Sequence, residues 1–355
     1  MTSPSVVVKV GSSSVTDADG QVAHDVLANL AADVVALRDE GWSVVVVSSG
    51  AITAGWADVG RGPRPRDAAT LQAVSAVGQP LLMHAWRNAF RNVGATVGQV
   101  LLAPLDFSHR GQYLHARGTL EQLRALGVVA IVNENDAVAD EEIRFGDNDR
   151  LAALVANLVG ASHLVLLTDT EGLLTADPRL DASATLIEEV TAFDAELVAA
   201  AGSSRSGVGS GGMASKLAAA HMATWSGITT VIAPARPSHA LRQALRGEPG
   251  FGTTFHARRG RLSARKSWIA FAVASRGSVT VNEGAQRALE HDGRSLLRVG
   301  VVSFEGAFVE GDAIEVKGLD GQTIAKGLAR VSAESLDDGD DVVVHRDDLV
   351  LLRSA

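Results

Sequence analysis

Cysteine is absent from this 355-residue chain. That excludes disulfides, thiolate nucleophiles and cysteine zinc sites, and it fits a reducing compartment. Any nucleophile must therefore be oxygen or nitrogen. Aromatic residues make up only 4% of the sequence, and no uninterrupted apolar run reaches the ~18 residues of a membrane span. The apolar stretch near the start carries Lys9 inside it rather than before it, unlike a secretory leader. A cytoplasmic protein with no membrane partner is expected. Basic residues are also in deficit: 32 Lys and Arg stand against 41 Asp and Glu, for a net charge of -9. Whole-molecule electrostatics thus give no support to a general nucleic-acid binder. Ten histidines are present, none in the H-E-x-x-H metal pattern.

What the chain does have is an ordinary globular balance, 46% hydrophobic and 21% charged, with 36 glycines. At ~150 residues per domain its length suggests two domains. Short Val/Leu/Ile runs at 6–10, 43–49, 97–103, 127–133, 163–169 and 228–233 alternate with helix-length stretches such as 24–40. Continuous apolar strands of this kind belong to a sheet buried on both faces, so an α/β fold with a mostly parallel sheet and helices on both sides is expected. Beyond about residue 260 the rhythm changes to short strand-like pieces punctuated by Gly and Asp, at 278–281, 296–302, 313–316, 323–330 and 342–345. That reads as a small β-rich domain. The basic, pattern-poor stretch around 256–266 reads as the connection. We place the main domain at 1–258, the connection at 259–276 and the second domain at 277–355.

Four segments carry candidate chemistry. The first strand bears Lys9 near its end and runs into Gly11-Ser12-Ser13-Ser14. Buried lysines are rare, and the turn offers N–H groups and hydroxyls to a phosphate; an edge strand whose lysine reaches water explains the segment equally well. Ser48-Ser49-Gly50-Ala51 follows the second strand, where ligands of open α/β sheets bind, although a simple serine cap of a helix fits too. After the fourth strand, the stretch from Asn133 to Arg150 holds seven carboxylates and two arginines. It suits a cation, an ammonium group or a magnesium-nucleotide, or else is an acidic surface loop. Finally, Gly207, Gly209 and Gly212 satisfy G-x-G-x-x-G, but no strand precedes them, so the dinucleotide fingerprint fails, and Walker A fails because Met213 follows Gly212. There remains a glycine loop capping a helix whose first turn presents Lys216, which suits a phosphate or an interdomain hinge.

The first three lie at the ends of α/β strands, where one cleft would gather them with Thr168, Asp169 and the glycine loop. Two lysines, glycine loops and an acidic loop together suggest phosphoryl transfer, a reaction catalysed mainly by positioning and cationic stabilisation. Magnesium would need oxygen ligands, for which Asp149 and Asp169 are candidates.

These residues carry a family resemblance. Val8-Lys9-Val10-Gly11-Ser12-Ser13, Ser49-Gly50-Ala51-Ile52, Ala76-Val77-Gly78-Gln79, Asn133-Glu134-Asn135-Asp136-Ala137-Val138, Gly146-Asp147-Asn148-Asp149, Leu167-Thr168-Asp169, Gly209-Ser210-Gly211-Gly212-Met213 and His345-Arg346-Asp347-Asp348 together resemble the amino-acid kinase superfamily, and within it the branch that phosphorylates glutamate. The resemblance runs essentially end to end. It implies a three-layer αβα sandwich with a mostly parallel central sheet, followed by a PUA-like β domain. It also implies ATP-dependent phosphorylation of the γ-carboxylate of L-glutamate, the first step of proline biosynthesis; the alternatives are another acid kinase of the superfamily or an RNA-binding protein acting through its PUA-like part. RNA is disfavoured by the acidic run Glu334, Asp337, Asp338, Asp340 and Asp341.

By the same resemblance Lys9 and Lys216 stabilise the phosphoryl group in flight, with Asp149 organising the lysines or Mg2+. Ser49, Asp136 and Asn148 bind glutamate, helped by Asn133 and Asp147, with Asp136 facing the substrate ammonium. Lys9, Thr168 and Asp169 hold ATP together with Ser210, Gly211, Gly212, Met213, Ala214, Ser215 and Lys216. The resemblance further implies L-proline as feedback inhibitor, a homo-oligomer of two or four chains, and hand-over of the product to a glutamyl phosphate reductase. The acceptor carboxylate is already ionised near neutrality, so no general base is required.

Overall fold

The computed structural model describes residues 3–60, 62–138, 148–191, 193, 212–258, 260, 262–337 and 342–352. By contact density the chain divides into two compact units, Met1–Asp106 with Gly111–Arg261, and Phe107–Arg110 with Leu262–Ala355. No helix among the described residues is long and apolar enough to cross a membrane.

The first unit is built on eight strands: β1 (Ser5–Val10), β2 (Ser43–Ser48), β3 (Val97–Leu102), β4 (Val129–Glu134), β5 (His163–Thr168), β6 (Glu189–Val190), β7 (Thr229–Pro234) and β8 (Thr253–Phe255). Their spatial order is β3-β4-β2-β1-β5-β7-β8-β6. Every pairing is parallel except β7 with β8. The Val/Leu/Ile runs that build β1, β2, β4 and β5 are buried along nearly their whole length, as strands covered on both faces must be. The expected mostly parallel α/β sheet is therefore present.

The helices of this unit that matter below are α1 (Ser12–Val15), α2 (His24–Asp39), α3 (Ala51–Val59), α4 (Ala68–Asn92), α5 (Pro104–Ser108), α6 (Arg110–Ala125), α7 (Asn148–Val159), α8 (Met213–Trp225) and α9 (Ala240–Arg246). The strand period of two assigns them to faces. Val6, Val8 and Val10 of β1, with Val44 and Val46 of β2, share one core cluster with Leu27, Leu30 and Val34 of α2, Leu82 and Trp86 of α4, and Leu241 of α9. Helix α7 packs against β1 and β5 and against α8, which in turn packs on β7. Helices thus sandwich the sheet, and the carboxyl ends of β1, β2, β4 and β5 come out along one edge.

The second unit holds a six-stranded sheet from β9 (Ser275–Val281), β10 (Leu296–Leu297), β11 (Val301–Gly306), β12 (Ala313–Lys317), β13 (Thr323–Ala329) and β14 (Val342–Leu351), ordered β10-β14-β13-β12-β9-β11. Its pairings are antiparallel except β9 with β12. Val279, Val281, Ile314, Val316, Ile324 and Val343 fill its core. Inside the stretch read as the connection, Ala264–Ser267 and Trp268–Ala272 are helical. The ammonium of Lys326 satisfies carbonyls at the end of that turn, those of Ala270 and Val273. This is the remedy for helix C-terminal carbonyls that lack an intrahelical partner.

Candidate active site

The strand period decides where Lys9 points. Its neighbours Val8 and Val10 belong to the core cluster shared with α2, α4 and α9, so Lys9 falls on the opposite face, where α7 packs. The edge-strand alternative fails, because β1 lies between β2 and β5 and Lys9 is only 3% exposed. A buried ammonium needs an anion, and α7 supplies one in its first turn. Lys9 Nζ lies 2.6 Å from Asp149 Oδ1. Lys216, in the first turn of α8, places its Nζ 3.2 Å from Asp149 Oδ2. The Ser215 hydroxyl donates to the same oxygen at 2.9 Å. Burial alone would push the Asp149 carboxyl up, but the Lys9 and Lys216 charges and the hydrogen bonds from Lys9 and Ser215 hold it below the usual carboxylate range. One carboxylate therefore fixes two cations from two different elements at the strand ends.

A second cluster lies at the end of β4. Asn133 and Asn148 are both buried, and both side-chain oxygens accept from the Glu134 N–H, at 2.9 Å and 3.2 Å. Sharing one donor fixes which end of each amide faces the backbone. Each NH2 end is thereby turned away from Glu134. The Asn133 Nδ2 donates to Gln79 Oε1 at 2.6 Å.

Asp136 follows in the short turn Asp136–Val138. It is buried, and its Oδ1 has no hydrogen-bond partner among the described residues. Burial raises its carboxyl to about 6, against the opposing pull of the Arg64 charge. An unpaired buried carboxylate is costly and calls for a cation.

Ser48 and Ser49 close β2. Gly50, at φ 107°, sits in the left-handed region that glycine tolerates and turns the chain directly into α3. It occupies the cap position itself, so the serine-cap alternative is not what is observed. Ser49 is buried, and its hydroxyl makes no hydrogen bond among the described residues. At the end of β5, the Thr168 hydroxyl donates to Asp169 Oδ1 at 3.0 Å, and Asp169 is exposed. Gly212 caps α8, with Met213 and Ala214 opening the helix ahead of Ser215 and Lys216. Asp147, Ser210 and Gly211 lie outside the described residues.

Two contributors carried no role in the sequence reading. Trp86, fully buried in α4, donates its Nε1–H to Ser48 Oγ at 2.9 Å. Gln79 reaches Asn133 because α4 crosses α3 with glycine against backbone: a Cβ on Gly78 would stand 1.8 Å from the Ala51 carbonyl oxygen, and one on Gly55 would stand 2.1 Å from that of Val74. The available signal was a glycine beside a glutamine within a helix-length segment.

The chain is similar to known proteins over nearly its whole length. Residues 4–234 match the amino acid kinase family and residues 277–346 match the PUA domain. The glutamate 5-kinase of Nocardia farcinica is 48% identical over 98% of this chain and 96% of its own length. That of Mycobacterium avium is 46% identical over 94% and 90%, and that of a Geobacter species 43% over 98% and 97%. In fold, the chain is similar to UMP kinase from Ureaplasma parvum, with a TM-score of 0.51 at 14% identity over 72% of this chain and 100% of the other. It is also similar to carbamate kinase from Giardia lamblia bound to AMP-PNP, with a TM-score of 0.50 at 18% identity over 72% and 99%.

Proposed function

We propose that this chain, which belongs to the amino acid kinase family and to its glutamate 5-kinase branch, transfers the γ-phosphoryl group of ATP to the γ-carboxylate of L-glutamate. The observation that carries the reading is the buried Lys9–Asp149–Lys216 cluster at the carboxyl ends of the strands. In the transfer a γ-carboxylate oxygen attacks the terminal phosphorus while the bond to the bridging oxygen of ADP breaks. No proton needs to be removed from the nucleophile. The catalytic task is to neutralise charge on the phosphoryl oxygens, and two ammonium groups held by one carboxylate do this without reorganising.

In this reading Asp149 is a positioning group for both lysines. The Asp136 carboxylate takes the substrate ammonium, which supplies the partner its Oδ1 lacks among the described residues. The amides of Asn133 and Asn148 present NH2 groups, the donors that a carboxylate needs. Ser49 lends its hydroxyl at the start of α3. Thr168, Asp169 and the α8 N-terminus from Gly212 to Lys216 receive the nucleotide, with helix N–H groups facing phosphate.

Magnesium belongs to kinase chemistry in general and neutralises phosphate charge when bound. Asp149 does not fit as its ligand, because both oxygens already face ammonium groups and a third cation there would be repelled. No group of three or more His, Asp or Glu residues that could hold a metal forms among the described residues. Asp169 is exposed and fits as a single oxygen ligand to a metal that arrives with the nucleotide.

Proline feedback at the glutamate pocket, a homo-oligomer and hand-over to a reductase complete the proposal, supported by the family alone. The deciding experiment is ADP release from purified protein with glutamate, aspartate, N-acetylglutamate and isopentenyl phosphate, with and without proline. Preference for glutamate is expected, and preference for another acceptor overturns the reading.

A further inference from the structure

We infer that Gln79 is a positioning residue for the substrate carboxylate, acting through Asn133; this deepens the glutamate reading above and rests on it. Asn133 is held at both ends of its amide. Its oxygen accepts from the Glu134 N–H, and its nitrogen donates to Gln79 Oε1 at 2.6 Å. The first bond comes from its own strand, but the second comes from α4, a separate element. With one amide hydrogen given to Gln79, the other keeps a fixed direction. The Glu134 N–H is also shared with Asn148 Oδ1, so the three side chains form one network. Coupling within such a network exceeds what single bonds suggest.

The backbone is shaped to bring Gln79 there. Gly78 lies so close to the Ala51 carbonyl that no side chain fits between them, and α4 also packs against the Asp136–Val138 turn. Gln79 itself is only half-buried. Its amide oxygen is aimed at Asn133 rather than left to solvent, and the cost of ordering an exposable glutamine is offset by that one bond.

The test is a double-mutant cycle in the full chain, read as KM for glutamate and KM for ATP. Gln79→Met keeps the volume and removes the acceptor. It is expected to raise KM for glutamate about fivefold to tenfold, the worth of one hydrogen bond, with KM for ATP unmoved. Asn133→Ala raises KM for glutamate further. The double variant is expected to match Asn133→Ala, because Gln79 has nothing left to act through. Gln79→Ala, which adds no bulk at a half-buried position, repeats the comparison should the methionine variant melt early. Independent effects that multiply in the double variant, or an unchanged KM for glutamate in both Gln79 variants, overturn the inference. Wild-type protein that does not turn over glutamate overturns the functional reading instead, and that result appears before any variant is compared.

Discussion

Asp149 meets Lys9 at 2.6 Å with both side chains sealed from solvent, and the same carboxylate holds Lys216 through its other oxygen. Two buried ammonium groups from two different elements are thus held together on one carboxylate. In the proposed function this paired arrangement is what receives a polyphosphate.

The first expectation separates the nucleotide from the amino acid. Lys216→Ala removes the cation proposed to meet the phosphoryl group and leaves the Asn133, Asn148 and Asp136 cluster in place. It is expected to lower kcat by roughly 10²–10³-fold, as for loss of one preorganised charge-stabilising donor, with KM for glutamate changed only modestly. Steady-state ADP release decides it. A large rise in KM for glutamate at near-normal kcat would place Lys216 on the amino acid instead.

Asp149→Asn tests the opposite member of the cluster. It removes the buried carboxylate charge that both ammonium groups face, and breaking such a buried pairing costs about 3–5 kcal/mol. Denaturant unfolding is expected to show that loss. Adding ATP is expected to restore more stability to this variant than to the wild type, because the polyphosphate brings the missing negative charge. An equal nucleotide effect in both proteins would show that the lysines do not meet the phosphates.

Ser48 joins the second strand to α4. Its hydroxyl accepts from Trp86 Nε1 and donates to the Ser49 carbonyl at 3.1 Å. Ser48→Ala strands a buried indole N–H, at a cost of about 1–3 kcal/mol. The melting temperature is expected to fall and KM for glutamate to rise, since Ser49 loses its anchor. Ser48→Thr keeps the hydroxyl and is expected to stay close to wild type in both measurements.

Much of this was legible in the residues, and what was not has a physical cause. Strand identity followed from runs such as Val44 to Val47, which only a doubly covered sheet tolerates. Lys9 drew attention because a lysine inside such a run is expensive. Whether it was buried depended on which strands flank β1, and pairing of β1 with β5 joins residues more than 150 positions apart, which no local pattern reports. The α4 helix was harder. Gly78 and Pro80 are both signals for a helix end, yet Ala68–Asn92 is continuous, because α3 packed against it offers a glycine-sized gap and buries its apolar side. Gln79, Trp86 and Arg64 act through that tertiary placement. Gln79 stood in a motif of the family resemblance, but nothing in the segments of the three reported these contacts.

Asp136 provides the last expectation, since stability and binding oppose each other there. Its carboxyl titrates at about 6, raised by burial and pulled back by Arg64, against a usual value of 3.8. The folded protein therefore holds this proton more tightly than the unfolded chain does. Below about pH 3.8 both states are protonated and the group is neutral to stability. Between 3.8 and 6 the folded state loses ground as pH rises, and above 6 the full penalty applies, on the order of 3 kcal/mol. Asp136→Asn removes the charge. The variant is expected to be more stable than wild type at pH 7.5 and to lose that advantage as the pH approaches 4. In the proposed function glutamate binding runs the other way, because only the ionised carboxylate would attract the substrate ammonium. In the wild type KM for glutamate is expected to climb as pH drops through 6, whereas in the variant it is high throughout and loses this inflection. Thermal melts and KM measured over the same pH range check both halves, and a wild-type KM that stays flat across pH 6 would detach Asp136 from the ammonium.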